Sequence, residues 1–239
     1  MSLWTAHLWR RMARLALAPG LLAAGVMLSG CDTLVIGKVE PALFPAAVAA
    51  SAPPLPGRVA LEMTPSVRGQ MDPGPDMCAV GRARLQLPLG AIVDAALQRQ
   101  LGAAFAGGAL PAALPLSPAG EAEAALSVTE IRLVLSHKLN WLVPIPVPIP
   151  PFVAAVAAST NYAARLELGL RVTDALGRLL AQTTVESGDV VIERGMWSSE
   201  PQMQFCLRLT HQAAWRAAEQ AARVMRETLR AERQRERPL

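Results

Sequence analysis

Residues 162–173 alternate between apolar and mostly polar side chains for twelve positions without a break. The apolar set is Tyr162, Ala164, Leu166, Leu168, Leu170 and Val172. Successive side chains of a β-strand point to opposite faces, so a period of two predicts a long strand with one buried face. Such a strand has to lie in a sheet whose apolar face is covered by another layer.

Shorter alternating stretches predict the other strands of this sheet. They are residues 59–64 as a half-buried first strand, residues 82–87 as its hairpin partner, residues 124–135 and residues 178–186, and residues 190–192 either extend the last strand or add another. Leu126 and Val128 are out of phase with Ile131, which predicts a β-bulge at Thr129–Glu130. The segment Asp174–Gly177 predicts a tight turn with glycine in the left-handed position.

Two further stretches have a helical period. The first helix is predicted by an apolar stripe at Val93, Leu97, Leu101 and Phe105, with Ile92 and Ala96 beside it, and Gly107-Gly108 ends it. The second is a C-terminal helix of about 33 residues near 50 Å long. Ser199 and Gln202 predict a capping box at its start, with Pro201 in the first turn. We expect its arginine-rich end to overhang the sheet.

The order of these elements predicts an α+β fold over residues 58–239. An antiparallel sheet of four to five strands carries two helices on one face, and the second helix is long and C-terminal. The length of this region is enough for one domain with a single core.

The first 30 residues have the layout of an export signal. Three arginines, Arg10, Arg11 and Arg14, precede the apolar run Leu15–Gly30, and no acidic residue occurs before Asp32. The run is 16 residues long, whereas a spanning helix needs about 20 apolar residues. A cleaved signal peptide over residues 1–30 is therefore expected rather than a permanent transmembrane segment.

The cleavage point carries the sequence Leu28-Ser29-Gly30-Cys31. This stretch resembles the lipobox of bacterial lipoproteins, in which the cysteine thiol takes a diacylglyceryl group and becomes the first mature residue. The resemblance implies a covalent lipid on Cys31 and a location in the cell envelope, facing the periplasm. Two or more acyl chains hold a protein stably on a bilayer. Asp32 resembles an inner-membrane retention signal, and the inner and outer membranes are both left as alternatives.

Residues 31–57 are rich in alanine and proline. This composition predicts an extended, semi-rigid tether that lifts the folded part off the membrane. The alternative is that part of the segment, such as Leu34-Val35-Ile36, packs onto the domain.

The net charge excludes a nucleic-acid partner. The chain has 23 Lys+Arg and 19 Asp+Glu, but three of the basic residues belong to the signal peptide. The mature chain therefore carries 20 − 19 = +1, which is too little for binding a polyanion.

Cys78 and Cys206 are left after Cys31 has been assigned to the lipid. An oxidising compartment allows a disulfide between them. The alternative is that both are small buried hydrophobic residues.

Residues 140–160 form an uncharged, proline-rich loop with proline at alternate positions. Proline lacks the backbone N–H, so this stretch fits neither a helix nor a ladder strand, and polyproline II is expected. One alternative is a lid that buries Trp141 and Phe152. The other is an exposed flap that contacts a partner protein or the membrane through Trp141, Ile145, Val147, Ile149 and Phe152.

Motifs for catalysis or metal binding are absent from the sequence. His137 and His211 are far apart in the sequence and are not spaced with other residues as metal ligands. A solvent-facing or capping role is expected for His211. We therefore expect a protein that is not an enzyme, with no catalytic residue, no metal and no cofactor beyond the covalent lipid.

The order of elements, together with the lipobox, is similar to the fold of lipopolysaccharide-assembly and ABC-transporter-auxiliary lipoproteins, over residues 58–235. The resemblance implies a non-catalytic binding or assembly component of an envelope complex, with an envelope protein as partner. One alternative is a self-assembling secretion- or pore-system lipoprotein, a homo-oligomer whose apolar loop meets the membrane. Another is an envelope enzyme.

Overall fold

The computed structural model describes residues 33–45, 53–74, 76–80, 83–112, 122–140, 159–195 and 198–235. The strands in this part of the chain are β1 (Thr33–Ile36), β2 (Val59–Met63), β3 (Asp72–Pro73), β4 (Ala83–Leu87), β5 (Ala109–Ala112), β6 (Ala124–Asn140), β7 (Ser159–Asp174), β8 (Leu179–Glu186) and β9 (Val190–Gly195). The α-helices are α1 (Pro65–Arg68), α2 (Leu89–Ala104) and α3 (Gln202–Arg235).

The main sheet has the strand order β5-β2-β6-β7-β8, and β9 pairs with β7 beside β8. β2 runs parallel to both β5 and β6, whereas β7 is antiparallel to β6, β8 and β9. The α+β class with a long C-terminal helix is confirmed. The prediction of an antiparallel sheet of four to five strands is wrong, because the sheet has six strands of mixed direction. The connection from β2 to β5 contains α2, and a crossover of this kind returns the chain in parallel.

The predicted hairpin between residues 59–64 and 82–87 is also wrong. β4 lies in a separate small sheet of order β1-β4-β3, where it pairs in parallel with β1. β5 and β6 occupy the two edges of β2 instead, and all five β2 residues are buried. The alternation of residues 59–64 therefore does not mark a solvent-facing side, and the prediction of a half-buried strand is wrong.

The predicted bulge lies in the long hairpin of β6 and β7. The register shifts between Val128 and Glu130, and Thr129 pairs with no residue of β7. A Cβ atom at Gly169 would lie 2.7 Å from Thr129 Oγ1. Glycine in the middle of this strand therefore makes room for the extra residue of the bulge.

Both large helices contribute to one core under the sheet. α3 packs on β7, β8 and β9, and α2 packs against α3 and β2. The predicted stripe of α2 is fully buried at Ile92, Val93, Ala96, Leu97 and Leu101. α3 contributes Ala213, Ala214, Ala217, Ala218 and Ala221, all without solvent exposure. Small side chains at these contacts let the helix lie close to its neighbours.

The long helix is confirmed, with 34 residues and a length of about 51 Å. Its first backbone bond runs from Phe205 N–H to the Pro201 carbonyl at 3.0 Å. Pro201 is therefore the N-cap, and the predicted capping box of Ser199 and Gln202 does not form. The side chain of Gln202 bonds to other elements instead.

The arginine-rich end of α3 is docked on the domain, so the expected overhang is wrong. Arg233 donates hydrogen bonds to the Pro56 carbonyl at 2.9 Å and to Glu123 Oε2 at 2.5 Å. Leu229 is buried, and Arg226 donates to the Pro53 carbonyl. The residues before β2 and β6 extend below the helix far enough to hold these turns.

Candidate functional site

The N-terminal segment, residues 33–45, runs along α3 in the direction of the helix. Gly37 lies against Leu207, the Glu40 N–H bonds to His211, and the Phe44 ring contacts His211 and Trp215 with centroids 4.9 and 5.9 Å apart. Successive residues of the segment thus meet successive turns of the helix. The chain enters the domain at the end where α3 begins.

The loop end of the β6–β7 hairpin, where Asn140 pairs with Ser159, lies at the same end of the domain. Gln202, the first residue of α3, donates from Nε2 to the Met77 carbonyl at 2.7 Å and to the Tyr162 hydroxyl at 3.3 Å. Tyr162 lies three residues after Ser159, which pairs with Asn140. We call this end of the domain, defined by Thr33, Asn140, Ser159 and Gln202, the entry end.

The opposite end is defined by the last turns of α3. Arg233 contacts Glu123, which directly precedes β6, and the first residue of β6, Ala124, pairs with Asp174. The tight turn after β7 lies here, with Gly177 at φ 78° as predicted. Leu176 in this turn is 79% exposed.

A disulfide braces the entry end. Cys78 and Cys206 are joined with an S–S distance of 2.12 Å and a Cα–Cα distance of 5.9 Å, and neither side chain is exposed. The bond ties the segment 76–80, which the small sheet adjoins, to the first turns of α3. Of the two alternatives for these cysteines, the structure contains the disulfide.

A cluster around Phe205 holds β9 to the start of α3. The guanidinium groups of Arg194 and Arg208 lie 5.5 and 5.4 Å from the buried Phe205 ring, and Tyr162 packs on its edge at 4.8 Å. Arg208 makes two bonds to the Glu200 carboxylate, at 3.0 and 2.6 Å. Because each cation has a partner and the ring is enclosed, this cluster stabilises the entry end rather than offering a binding pocket.

Arg194 also links β9 to the start of α3 through hydrogen bonds. It donates to the Gln202 side-chain oxygen and to the Glu200 carbonyl. Gln202 therefore accepts one bond from β9 while it donates to the segment 76–80 and to β7. One amide connects three elements that are distant in sequence.

His211 is fully buried, so the expected solvent-facing or capping role is wrong. Its Nε2 accepts from the Glu40 N–H at 3.1 Å, and Nδ1 lies 2.8 Å from the Leu207 carbonyl, which assigns the proton to Nδ1. Burial lowers the pKa of His211, and Arg99 lowers it further, against the opposing effects of the Leu207 carbonyl and Glu40. The imidazole is a neutral link between the N-terminal segment and α3.

The remaining predicted site residues lie outside the described part of the chain. They are the lipidation residue Cys31 and the loop residues Trp141, Ile145, Val147, Ile149 and Phe152. The structure does describe residues next to these two segments. Thr33 is two residues after Cys31, and Asn140 and Ser159 stand before and after the apolar loop. All three flanking residues are at the entry end.

Sequence reasoning missed the contacts made by Glu40, Phe44 and His211. Phe44 is an isolated aromatic residue in the alanine- and proline-rich stretch, and it is 6% exposed. A large aromatic side chain is seldom left fully exposed in a solvated spacer. Phe44 is therefore the feature of the sequence that indicates a packed segment. Arg99 of α2 stacks over Phe44 at 4.9 Å and donates to the Pro41 carbonyl.

Within the described ranges, no group of three or more histidine, cysteine or acidic residues is arranged to hold a metal ion. The helices of these ranges include none with the length and apolar character needed to cross a membrane.

No family model matches the chain, and the curated proteins contain no match to it. Several solved structures are similar to it, and three of them follow. A Xanthomonas campestris protein of the DUF330 family has a TM-score of 0.42 and 12% identity over 84% of this chain and 99% of that chain. A minor lipoprotein from Acinetobacter baumannii has a TM-score of 0.35 and 13% identity over 73% and 92% of the two chains. The uncharacterized lipoprotein B from Nitrosomonas europaea has a TM-score of 0.37 and 10% identity over 79% and 97%.

Proposed function

We propose that this chain is a bacterial envelope lipoprotein, acylated on Cys31 and facing the periplasm, that acts as a non-catalytic binding or assembly component of a transport or envelope-biogenesis complex. One observation carries the proposal. Gly37, shortly after Thr33, lies against Leu207 of α3, and Gln202 at the start of α3 bonds to Tyr162. Thr33, two residues after Cys31, therefore lies at the same end of the domain as Asn140 and Ser159, which flank the apolar loop. A lipid on Cys31 would therefore place the ends of that loop on the side of the domain that faces the bilayer.

The apolar loop is the proposed contact with the partner. Its side chains Trp141, Ile145, Val147, Ile149 and Phe152 carry no charge, which suits a partner at the level of the membrane surface. The flanking strands give it a rigid base, because the disulfide and the bonds of Gln202 fix the entry end. A binding segment on a rigid support loses less entropy when it meets its partner.

The proposed role involves no catalytic residue and no cofactor beyond the lipid. His211, the one buried histidine among the described residues, uses both ring nitrogens to hold backbone groups. The mature charge of +1 also fits a protein partner better than a nucleic acid.

Crosslinking in native membranes tests this function. A photo-crosslinking residue at Ile145 or Ile149 is expected to capture one specific envelope protein, and Cys31→Ala is expected to abolish the capture. Ile145→Asp and Ile149→Asp should weaken co-purification of that protein. Leu176→Asp is the matched control, since Leu176 is an exposed apolar residue at the opposite end. Equal losses from Leu176→Asp and Ile149→Asp would contradict a specific role of the loop.

Self-assembly in a secretion or pore system is the second candidate. The shared position of anchor and loop favours it too, since the loop is held toward the membrane. Capture of a second copy of this chain, without another protein, would support this candidate over the first. Recovery of monomers alone would exclude it.

Asp32 bears on the choice of membrane. If the residue after the cysteine acts as a retention signal, the lipoprotein should sediment with the inner membrane in a density gradient, and Asp32→Ser should move it to the outer membrane. An unchanged distribution would remove this role of Asp32.

A further inference from the structure

One face of β1 is exposed and apolar. Leu34 and Ile36 are each 59% exposed, and as alternate residues of a strand they lie on the same face. β1 is also an edge strand, because the small sheet has the order β1-β4-β3. Two large aliphatic side chains on an edge strand favour aggregation unless something covers them.

Basic side chains border these two residues. Arg84 of β4 is the register partner of Leu34 and is exposed, and Lys38, two residues after Ile36, is exposed as well. The next acidic residue along the chain is Glu40, which is exposed and whose backbone N–H bonds to His211. Aliphatic side chains flanked by lysine and arginine match the interface of an anionic bilayer, where apolar groups enter the headgroup region and cations pair with phosphates.

The length of chain before β1 limits how far this face can lie from a membrane. Only Asp32 separates Cys31 from Thr33, and two residues span at most about 7 Å. The headgroup region on each side of a bilayer is about 5–8 Å thick. A domain that begins this close to its lipid anchor rests on the bilayer, in contrast to the tether expected over residues 31–57.

We propose that the β1 face, formed by Leu34, Ile36, Arg84 and Lys38, is a membrane-contact surface that sits in the headgroup region of a bilayer with anionic phospholipids. This inference rests on the proposed acylation of Cys31. Leu34 and Ile36 enter the interface, and the two cations bind lipid phosphates. The contact fixes the orientation of the domain, so that its entry end faces the bilayer.

Spin labelling of the full-length lipoprotein in vesicles tests the proposal. The chain has three cysteines, of which Cys31 is acylated and the other two are bonded, so an introduced thiol is the only one available for labelling. Leu34→Cys and Ile36→Cys are labelled with a nitroxide in phosphatidylethanolamine–phosphatidylglycerol vesicles, with Leu176→Cys as the matched exposed control. Collisions with oxygen, which partitions into lipid, are compared with collisions with a water-soluble nickel complex.

Labels at positions 34 and 36 are expected to show a several-fold higher ratio of oxygen to nickel collisions than the label at position 176. In vesicles of phosphatidylcholine alone this ratio should fall, as it should in the Lys38→Glu/Arg84→Glu variant. Equal ratios at all three positions overturn the proposal. Labels at 34 and 36 that neither reagent reaches also overturn it, since a protein segment then covers the strand.

Flotation of the same vesicles separates this proposal from the lipid anchor itself. If the unsubstituted protein floats with the vesicles and Cys31→Ala does not, the anchor is established whatever the labels report. Floating protein with fully aqueous labels therefore removes only the membrane-contact surface. Protein that fails to float removes the anchor and this inference together.

Discussion

The backbone N–H of Glu40 donates to Nε2 of His211 at 3.1 Å, across 171 residues of sequence. The bond requires an imidazole that is neutral and protonated on Nδ1, so the charge of one buried side chain controls how the N-terminal segment is held.

Stability should fall as the pH drops below about 6.5, the ordinary histidine value. The pKa of His211 is lowered in the folded state by burial, so the unfolded chain takes up the proton first, and the stabilisation present above that pH is lost. The largest expected slope is about 1.4 kcal/mol per pH unit. Glu40 and Arg99 face the ring with opposing effects. Urea unfolding of the protein and of His211→Gln from pH 7.5 to 5 checks this, and equal slopes would contradict it.

Loss of the disulfide should lower the free energy of unfolding by about 2–5 kcal/mol, because the bond closes a long loop. The bond joins residues 128 positions apart. Denaturation of the protein with and without reductant measures the effect, and the Cys78→Ala/Cys206→Ala variant should match the reduced protein. Coincident unfolding curves in both redox states would contradict a role for the bond.

Phe44→Ala should release the N-terminal segment from α3. Truncation of a buried phenylalanine costs about 3–5 kcal/mol, and here the loss should appear as faster amide exchange over residues 37–45. Leu34→Ala is the control, since Leu34 is exposed and surface changes stay within about 0.5 kcal/mol. Unchanged exchange in Phe44→Ala would mean that other contacts hold the segment.

Gly169→Ala should destabilise the sheet, by about 1–3 kcal/mol for forced overpacking. The new methyl group would lie 2.7 Å from Thr129 Oγ1, so Thr129→Ala in the same chain should restore part of the loss. Gly195→Ala is the control, because a Cβ there meets no atom within 4 Å. A double-mutant cycle from thermal unfolding gives the coupling, and additive effects would argue against the contact.

The sheet and helices were predictable where one periodic pattern stayed intact. The alternation of residues 162–173 identified β7, and the change of phase between Val128 and Ile131 identified the bulge. The direction of pairing was not predictable in the same way. Val59 pairs in parallel with Ala109 and Ala124. The sequence of a short strand does not show which strand it will pair with or in which direction.

The surroundings of His211 could not be predicted from its helix alone. The α3 stripe indicates one buried face, but the residues that enclose His211 come from 40–44 and from Arg99. Residues 31–57 were predicted to be a solvated spacer from their composition. One aromatic residue such as Phe44 hardly changes the composition of a segment, although its ring can fix the segment to the domain. The neighbours of a buried polar group are set by tertiary contacts.

The docking of residues 37–45 and 53–56 on α3 has a consequence for biogenesis. Glu40 bonds to His211, Pro53 to Arg226 and Pro56 to Arg233, so these residues dock on partners in α3 that are synthesised at least 171 residues later. Contacts of such high sequence separation form late and slowly. A chain exported from its N-terminus would have this segment outside, without a docking surface, until residues 202–235 had crossed. We expect the domain to close only after α3 has been translocated, and, if Cys31 is acylated as proposed, on a chain that is already held at the membrane.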